Sequence, residues 1–178
     1  MVEALLDVTR LESGHLSLDR KPLDLGALVQ RIAEEVQPTL SMHKITTSIR
    51  GTGLIVDGDA LRLEQVLQNI IQNAVKYSPA GGVIAIETFS HDRSVCVSIA
   101  DQGIGIPHNS LQRLFSRFYR ADNVDEKQIS GMGIGLYVVK EIITLHGGSV
   151  TVESMEGRGS TFTICLSLHK AFPPVGIM

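Results

Sequence analysis

The 178-residue chain is predicted to fold as an α+β two-layer sandwich, with helices packed on a mixed, mostly antiparallel sheet. Three observations carry this prediction. Apolar residues recur at spacings of three and four in several separated segments. Strict apolar–polar alternation marks two strand pairs, 83–89 with 94–100 and 149–154 with 160–168. The two kinds of segment interleave without the strand–helix–strand rhythm of an all-parallel sheet.

The elements follow in chain order. Ala4, Leu5, Val8 and Leu11 predict a helix over 2–13, broken at Gly14, with Pro22 in the connector after it. A chain that opens inside a helical pattern is expected to be part of something longer. Asp24 is a helix cap for 24–37, where Leu25, Leu28, Val29, Ile32 and Val36 share one face. Strands are expected near 45–50 and 54–56. Asp59 caps a long helix over 60–77, and Pro79 lies beyond its end. The polar step His91-Asp92-Arg93 joins 83–89 to 94–100 as an antiparallel hairpin. A Gly-rich turn covers 101–107. A short helix near 109–118, anchored on the core by Phe115 and Phe118, leads into a polar stretch at 121–132. Helix 133–146 stops at Gly147-Gly148, and a final strand pair precedes a loose tail at 171–178.

Composition narrows the function classes. With 43% hydrophobic and 20% charged residues the chain can bury a core, so extensive disorder is excluded. A net charge of −3 leaves no overall basic footprint for nucleic acid, so phosphate binding must come from a local cluster. No apolar run reaches the roughly 18 residues of a membrane helix, and no signal-peptide pattern opens the chain. A soluble domain is therefore expected. Cys96 and Cys165 lie in apolar alternating segments and are expected to be buried free thiols in a reducing compartment.

Four segments carry candidate chemistry. On the helix 60–77, Asn69, Asn73 and Lys76 sit at i, i+4 and i+7, on a face apart from the Leu63, Val66, Leu67, Ile70 and Ala74 stripe. Two carboxamides and an ammonium on one line suit phosphates and a hard cation, since an Asn oxygen can ligate Mg²⁺. Asp101-Gln102-Gly103-Ile104-Gly105-Ile106-Pro107 follows a strand whose Val95, Val97 and Ile99 face one way. The strand end therefore delivers Asp101 into a cleft. There an ionised carboxylate, which only accepts hydrogen bonds, could receive an exocyclic amine. Gly131-Met132-Gly133-Ile134-Gly135-Leu136 opens a helix, where bare N–H groups suit phosphate oxygens. It is neither a dinucleotide fingerprint nor a P-loop, because no strand precedes it and no Gly-Lys-Ser/Thr ending follows. Leu114-Phe115-Ser116-Arg117-Phe118-Tyr119-Arg120 supplies guanidinium groups ahead of the polar stretch. Taken singly, each segment also reads as ordinary structure: a solvated helix face, a plain turn or an amphipathic helix.

Together, in this order and spacing, the four resemble the ATP-binding domain of sensor histidine kinases, within the GHKL ATPase superfamily. Asn69 through Pro79 resembles the N box, and Asp101 through Pro107 the first glycine box. Leu114 through Arg120 resembles the F box, and Gly131 through Leu136 the second glycine box. Gly157-Arg158-Gly159-Ser160-Thr161-Phe162 looks like the last glycine motif. The likeness covers about 22–168.

The resemblance implies a Bergerat-type sandwich that holds ATP and Mg²⁺ under a lid spanning 114–135. It implies that Asp101 holds the adenine amino group, assisted by Ser160 or Thr161, with Tyr77, Gly103, Gly105 and Ile106 around the base. Asn73 would ligate Mg²⁺, with Asn69 and Lys76 by the phosphates. Arg120 would reach the terminal phosphate, and Gly131, Gly133, Gly135 and Leu136 would line the phosphate loop.

Met132 departs from the threonine frequent at its position. A larger departure is that none of the six histidines sits in a His-Glu-rich acceptor box. Leu11 through Leu16 resembles the exit of a second dimerisation helix, which divides the chain into a helix remnant and linker (1–20), a catalytic domain (21–170) and a tail. The implied partners are a histidine-containing dimerisation domain of the same parent and a response-regulator receiver domain. The implied parent is a homodimer working in the cytoplasm, with room for an anchor in the inner membrane. No nucleic acid or membrane contact is expected of the chain itself.

Two other readings stand beside the kinase: an ATP-hydrolysing GHKL member, and a non-catalytic nucleotide-binding module. By the same resemblance, hydrolysing relatives carry a Glu one turn before the Mg²⁺-binding Asn. Here that position is Asn69, which cannot take a proton from water near neutral pH.

Overall fold

The computed structural model describes residues 9, 16–124 and 131–169. The sequence expectations for a helix at 2–13, for part of the lid, and for the tail at 171–178 lie outside the described residues.

Five strands form the main sheet: β2 (His43–Arg50), β4 (Gly82–His91), β5 (Ser94–Ala100), β6 (Ser149–Met155) and β7 (Gly159–Ser167), in the order β2-β4-β5-β7-β6. Three helices cover one face: α1 (Leu25–Val36), α2 (Ala60–Lys76) and α4 (Gly135–Leu145). The core lies between the layers. Ile32, Leu63, Ile70 and Ile142 from the helices, with Ile84, Ile99 and Ile164 from the sheet, are fully buried. Each strand contributes alternate residues because successive side chains point to opposite faces. The α+β two-layer sandwich is therefore as predicted.

The caps are as expected. Asp24 accepts from the Ala27 N–H at 3.0 Å and Asp59 from the Arg62 N–H at 3.2 Å. Each satisfies one of the orphan donors of a first helical turn.

The differences are non-local or fall where periodicity is weak. Lys21–Asp24, expected as a connector, is a strand, β1. It pairs antiparallel with β3 (Ile55–Gly58) in a separate two-stranded sheet, with Pro22 opposite Asp57. Four residues without alternation give no strand signal, and an edge strand tolerates a proline. The main sheet also holds one parallel pair: β2 and β4 are neighbours with β3 and α2 between them in the chain. The expected helix at 109–118 is only α3 (His108–Leu111), followed by turns. Within those turns Phe118 adopts a φ of 59° and is 64% exposed, so Phe115 alone of the pair packs on the core.

The cysteines are not free. Cys96 on β5 and Cys165 on β7 stand opposite one another in antiparallel register, with Cα atoms 4.1 Å apart, and are joined as a disulfide. Alternation showed that each would be on a strand. It could not show that strands 69 residues apart would pair with the two thiols in register.

The segment before β1 is tied to the far ends of two helices. The Asp19 N–H donates to Asp59, and the Arg20 guanidinium donates to the Leu145 carbonyl. His146, just past α4, bridges the same place. Its Nε2 accepts from the Asp59 N–H at 3.0 Å while Nδ1 donates to the Ile142 carbonyl at 2.8 Å, a pairing that requires the neutral ring. Burial accordingly holds its pKa below the ordinary histidine value.

Candidate nucleotide-binding site

The four predicted chemical segments meet around one cavity of about 260 Å³. Its first wall is the C-terminal half of α2, where Asn69, Asn73 and Lys76 line the space, as does Tyr77 just past the helix end. The i, i+4, i+7 spacing places them on one line, and the buried Leu63–Ala74 stripe fixes that line by anchoring the opposite face in the core. The side chains of Asn69 and Asn73 make no hydrogen bond to protein among the described residues. The Lys76 ammonium lies 4.8 Å from the centre of the Tyr77 ring, a cation–π contact.

Opposite stands the glycine loop. Gly131, Gly133, Gly135 and Leu136 all line the cavity, as does Met132. The loop runs close to α2: the nearest group to a side chain added at Gly131 would be the Lys76 ammonium, and at Gly135 the Asn69 carboxamide oxygen. Bare backbone therefore faces the polar side chains of α2. The Phe118 N–H donates to the Gly133 carbonyl at 2.9 Å, which joins the loop to the Phe/Arg segment. Arg120 lines the cavity from that segment. Arg117 of the same segment stacks over Tyr137, and Arg113, just before the segment, over Tyr119.

The sheet closes the remaining side with Asp101 and Ser160. Asp101 Oδ1 accepts from the Gly103 N–H at 2.8 Å and the Ser160 N–H at 3.3 Å. Both protein donors fall on Oδ1, so Oδ2 has no protein partner among the described residues. Burial pushes the Asp101 carboxyl above its ordinary value, while the two N–H groups pull it down by a smaller amount.

Three predicted residues are placed elsewhere. Gly103, Gly105 and Thr161 do not line the cavity. A Cβ at Gly103 would overlap the Tyr77 carbonyl, and the next N–H, of Ile104, donates to that carbonyl at 2.9 Å. Gly103 thus lets the loop sit against the end of α2. Gly105 lets it sit against the Met155–Glu156 backbone, and the Ile106 that follows does line the cavity. Thr161 stands on β7 between the cavity-lining Ser160 and Phe162.

The sequence reading missed Gln72, Tyr119, Ile134 and Phe162, all of which line the space. Gln72 could have been found, since it lies three residues from Asn69 and four from Lys76 on the same face. Phe162 stood at the end of the last glycine motif, on the same face of β7 as Ser160.

Among the described residues no cluster of three His, Cys, Asp or Glu side chains could hold a metal unaided. The donor set instead fits a hard cation that keeps waters and arrives with phosphates, because a neutral Asn oxygen can supply one ligand without a full protein cage. The available Asn73 carboxamide meets that requirement.

Known proteins resemble this chain in sequence and fold. Residues 58–170 match the family of histidine kinase-, DNA gyrase B- and HSP90-like ATPases. The sensor histidine kinase WalK of Bacillus subtilis is 32% identical over 169 residues, covering 93% of this chain and 28% of WalK. The sensor protein GacS of Pseudomonas syringae is 35% identical over 179 residues, covering 96% of this chain and 20% of GacS. The chain thus spans less than a third of the length of these relatives. Among solved structures, full-length ShkA in complex with AMPPNP superposes with a TM-score of 0.83 at 28% identity, covering 98% of this chain and 36% of that one. No helix among the described residues is long and apolar enough to cross a membrane. The match to the family and the shared sandwich establish that this chain belongs to the histidine kinase-, DNA gyrase B- and HSP90-like ATPases, as a nucleotide-binding catalytic domain of the sensor histidine kinase kind.

Proposed function

We propose that the chain binds Mg-ATP and donates its terminal phosphate to a histidine on a separate dimerisation domain, as the catalytic part of a two-component signalling kinase. The observation that carries this reading is the distribution of charge around the cavity. Asp101 is the only acidic side chain lining it among the described residues, while the other polar side chains there include the carboxamides of Asn69, Gln72 and Asn73 and the cations Lys76 and Arg120. A carboxylate that accepts an amine suits adenine. A neutral and cationic wall suits phosphates and offers no base to activate water.

In this reading Asp101 receives the adenine amino group, with Ser160 beside it and Tyr77 and Ile106 against the ring. Asn69 and Lys76 hold the phosphates against the N–H groups of the glycine loop. Arg120 carries charge toward the terminal phosphate. Asn73 ligates the metal. Mg²⁺, when bound, would supply neutralisation of phosphate charge. The work left to the chain is positioning and electrostatics, which dominate phosphoryl transfer. The acceptor domain, a receiver domain downstream of it, a homodimeric parent and its cytoplasmic setting or membrane anchor belong to the same proposal. The naming of the relatives as sensor kinases supports these parts.

The test is transfer in trans. The chain is incubated with γ-labelled ATP, Mg²⁺ and the parent's histidine-bearing helical hairpin supplied separately. Acid-labile label is expected on the hairpin and none on the chain alone. Free phosphate with no labelled hairpin would overturn the transfer reading in favour of hydrolysis. Asn73→Ala isolates the metal. ATP affinity of the unchanged chain, read by calorimetry, is expected to rise with Mg²⁺ and to fall with a chelator. In the variant it is expected to respond to neither, and a retained response counts against Asn73 as the ligand.

A further inference from the structure

Ser154 lies on β6 where the alternation of Val150 and Val152 would place another apolar residue facing the helical layer. Its hydroxyl is instead at the centre of three contacts. The Ile106 N–H donates to it at 2.9 Å, the Gly159 carbonyl lies at 2.8 Å, and the Ser160 hydroxyl lies at 3.0 Å. A hydroxyl has one proton and two lone pairs. The Gly159 carbonyl can only accept, so it takes the Ser154 proton. The Ile106 N–H can only donate, so it takes one lone pair. The second lone pair then remains for Ser160, whose own proton is committed toward Ser154.

The consequence falls on the cavity. With its proton turned away, Ser160 presents only lone pairs beside Asp101, which as an ionised carboxylate also presents only acceptors. The geometry points to Ser154 as a positioning residue that sets this polarity, and so makes the site select a purine carrying an amine at position 6 over one carrying a carbonyl there. The inference rests on the nucleotide reading above and deepens it. An amine donates to both acceptors. A carbonyl oxygen would meet lone pairs on each side, and a ligand whose acceptor faces only acceptors in a buried site is strongly rejected.

Removing the Ser154 hydroxyl would free the Ser160 hydroxyl to rotate and donate. A 6-carbonyl purine would then gain a partner while ATP would gain none. Ile106 and Gly159 would also lose partners, but that loss weakens every nucleotide alike. The experiment therefore reads a ratio: the affinities of ATP and inosine triphosphate, with Mg²⁺, for the whole chain. In Ser154→Ala the preference for ATP is expected to fall about tenfold, the scale of one hydrogen bond gained or lost to a buried partner. Ser154→Thr, which keeps the hydroxyl, is expected to restore it. On a Ser160→Ala background, Ser154→Ala is expected to leave the ratio unchanged. Should Ser154→Ala not fold, Ser154→Cys is read in its place, because a thiol is a weak donor and acceptor. Normal ATP binding with an unchanged ratio overturns the Ser154 assignment alone. No binding of either nucleotide by the unchanged chain overturns the nucleotide reading and this inference with it.

Discussion

Asp101→Asn is expected to abolish most ATP binding while leaving the fold intact or firmer at neutral pH. The carboxylate Oδ2 has no protein partner among the described residues and would accept the adenine amine. A hydrogen bond to a charged group contributes about 1.5–3 kcal/mol, so Asp101→Ala alone should weaken ATP by roughly ten- to a hundredfold. Asparagine goes further, because its NH₂ would face the amine with a donor. Its oxygen can still take the Gly103 and Ser160 N–H groups, so the loop keeps its shape.

The stability arm follows from the sign of the pKa shift. Burial raises the Asp101 pKa, so between its unfolded and folded values the native chain holds the proton more tightly. The stability of the neutral acid is present below the unfolded value and is lost as pH rises through the folded one. At neutral pH the ionised group is a cost to the fold that asparagine removes. Calorimetric titration with ATP and thermal unfolding of the same variant check both arms. Unchanged ATP affinity would remove Asp101 from the adenine site. In the unchanged chain, ATP affinity should begin to fall on acidification at a higher pH than an ordinary aspartate would give.

Gly105→Ala is expected to damage the site and the fold together. Two costs combine at this residue. Its φ of +66° lies in the left-handed region, which costs a side-chain-bearing residue about 1–2 kcal/mol. A Cβ there would also overlap the Met155 carbonyl oxygen, which is backbone and cannot rotate aside. Overpacking of this kind costs about 1–3 kcal/mol more. The displaced loop would carry Ile106 out of the cavity, and the Asn123 side chain would lose the Gly105 carbonyl to which it donates at 3.1 Å. A thermal midpoint lowered by several degrees, together with weakened ATP binding, is the expected pair of readings. A variant with an unchanged midpoint would show that the loop can move away from Met155 at little cost.

These two positions also show what could be read before the structure. Asp101 was legible because a strand alternating Val95, Val97 and Ile99 ends on it, so the local period alone aims the chain at a cleft. Asn69, Asn73 and Lys76 were legible for the same reason on a helix. The caps Asp24 and Asp59, the long helices and the hairpins are likewise local, since each depends on residues within a few positions of one another. Gly105 was legible as a glycine of consequence, but the backbone contact it makes was not. It meets the Met155 backbone, fifty residues along the chain, and does not itself line the cavity.

The rest depended on contacts between distant segments. Which strands pair, and in what register, placed Cys96 opposite Cys165 and made a disulfide of two residues that look like ordinary core thiols. Pairing with β3 made a strand of Lys21–Asp24, and the crossover between β2 and β4 made their pairing parallel. The Ser154 hydroxyl gains its meaning only because Ile106, Gly159 and Ser160 converge on it. A period in the sequence reports which face of an element is apolar. It carries no information about which other element will meet that face, and in this chain the hydrogen bonds around Ser154 and the Cys96–Cys165 bond both turn on that meeting.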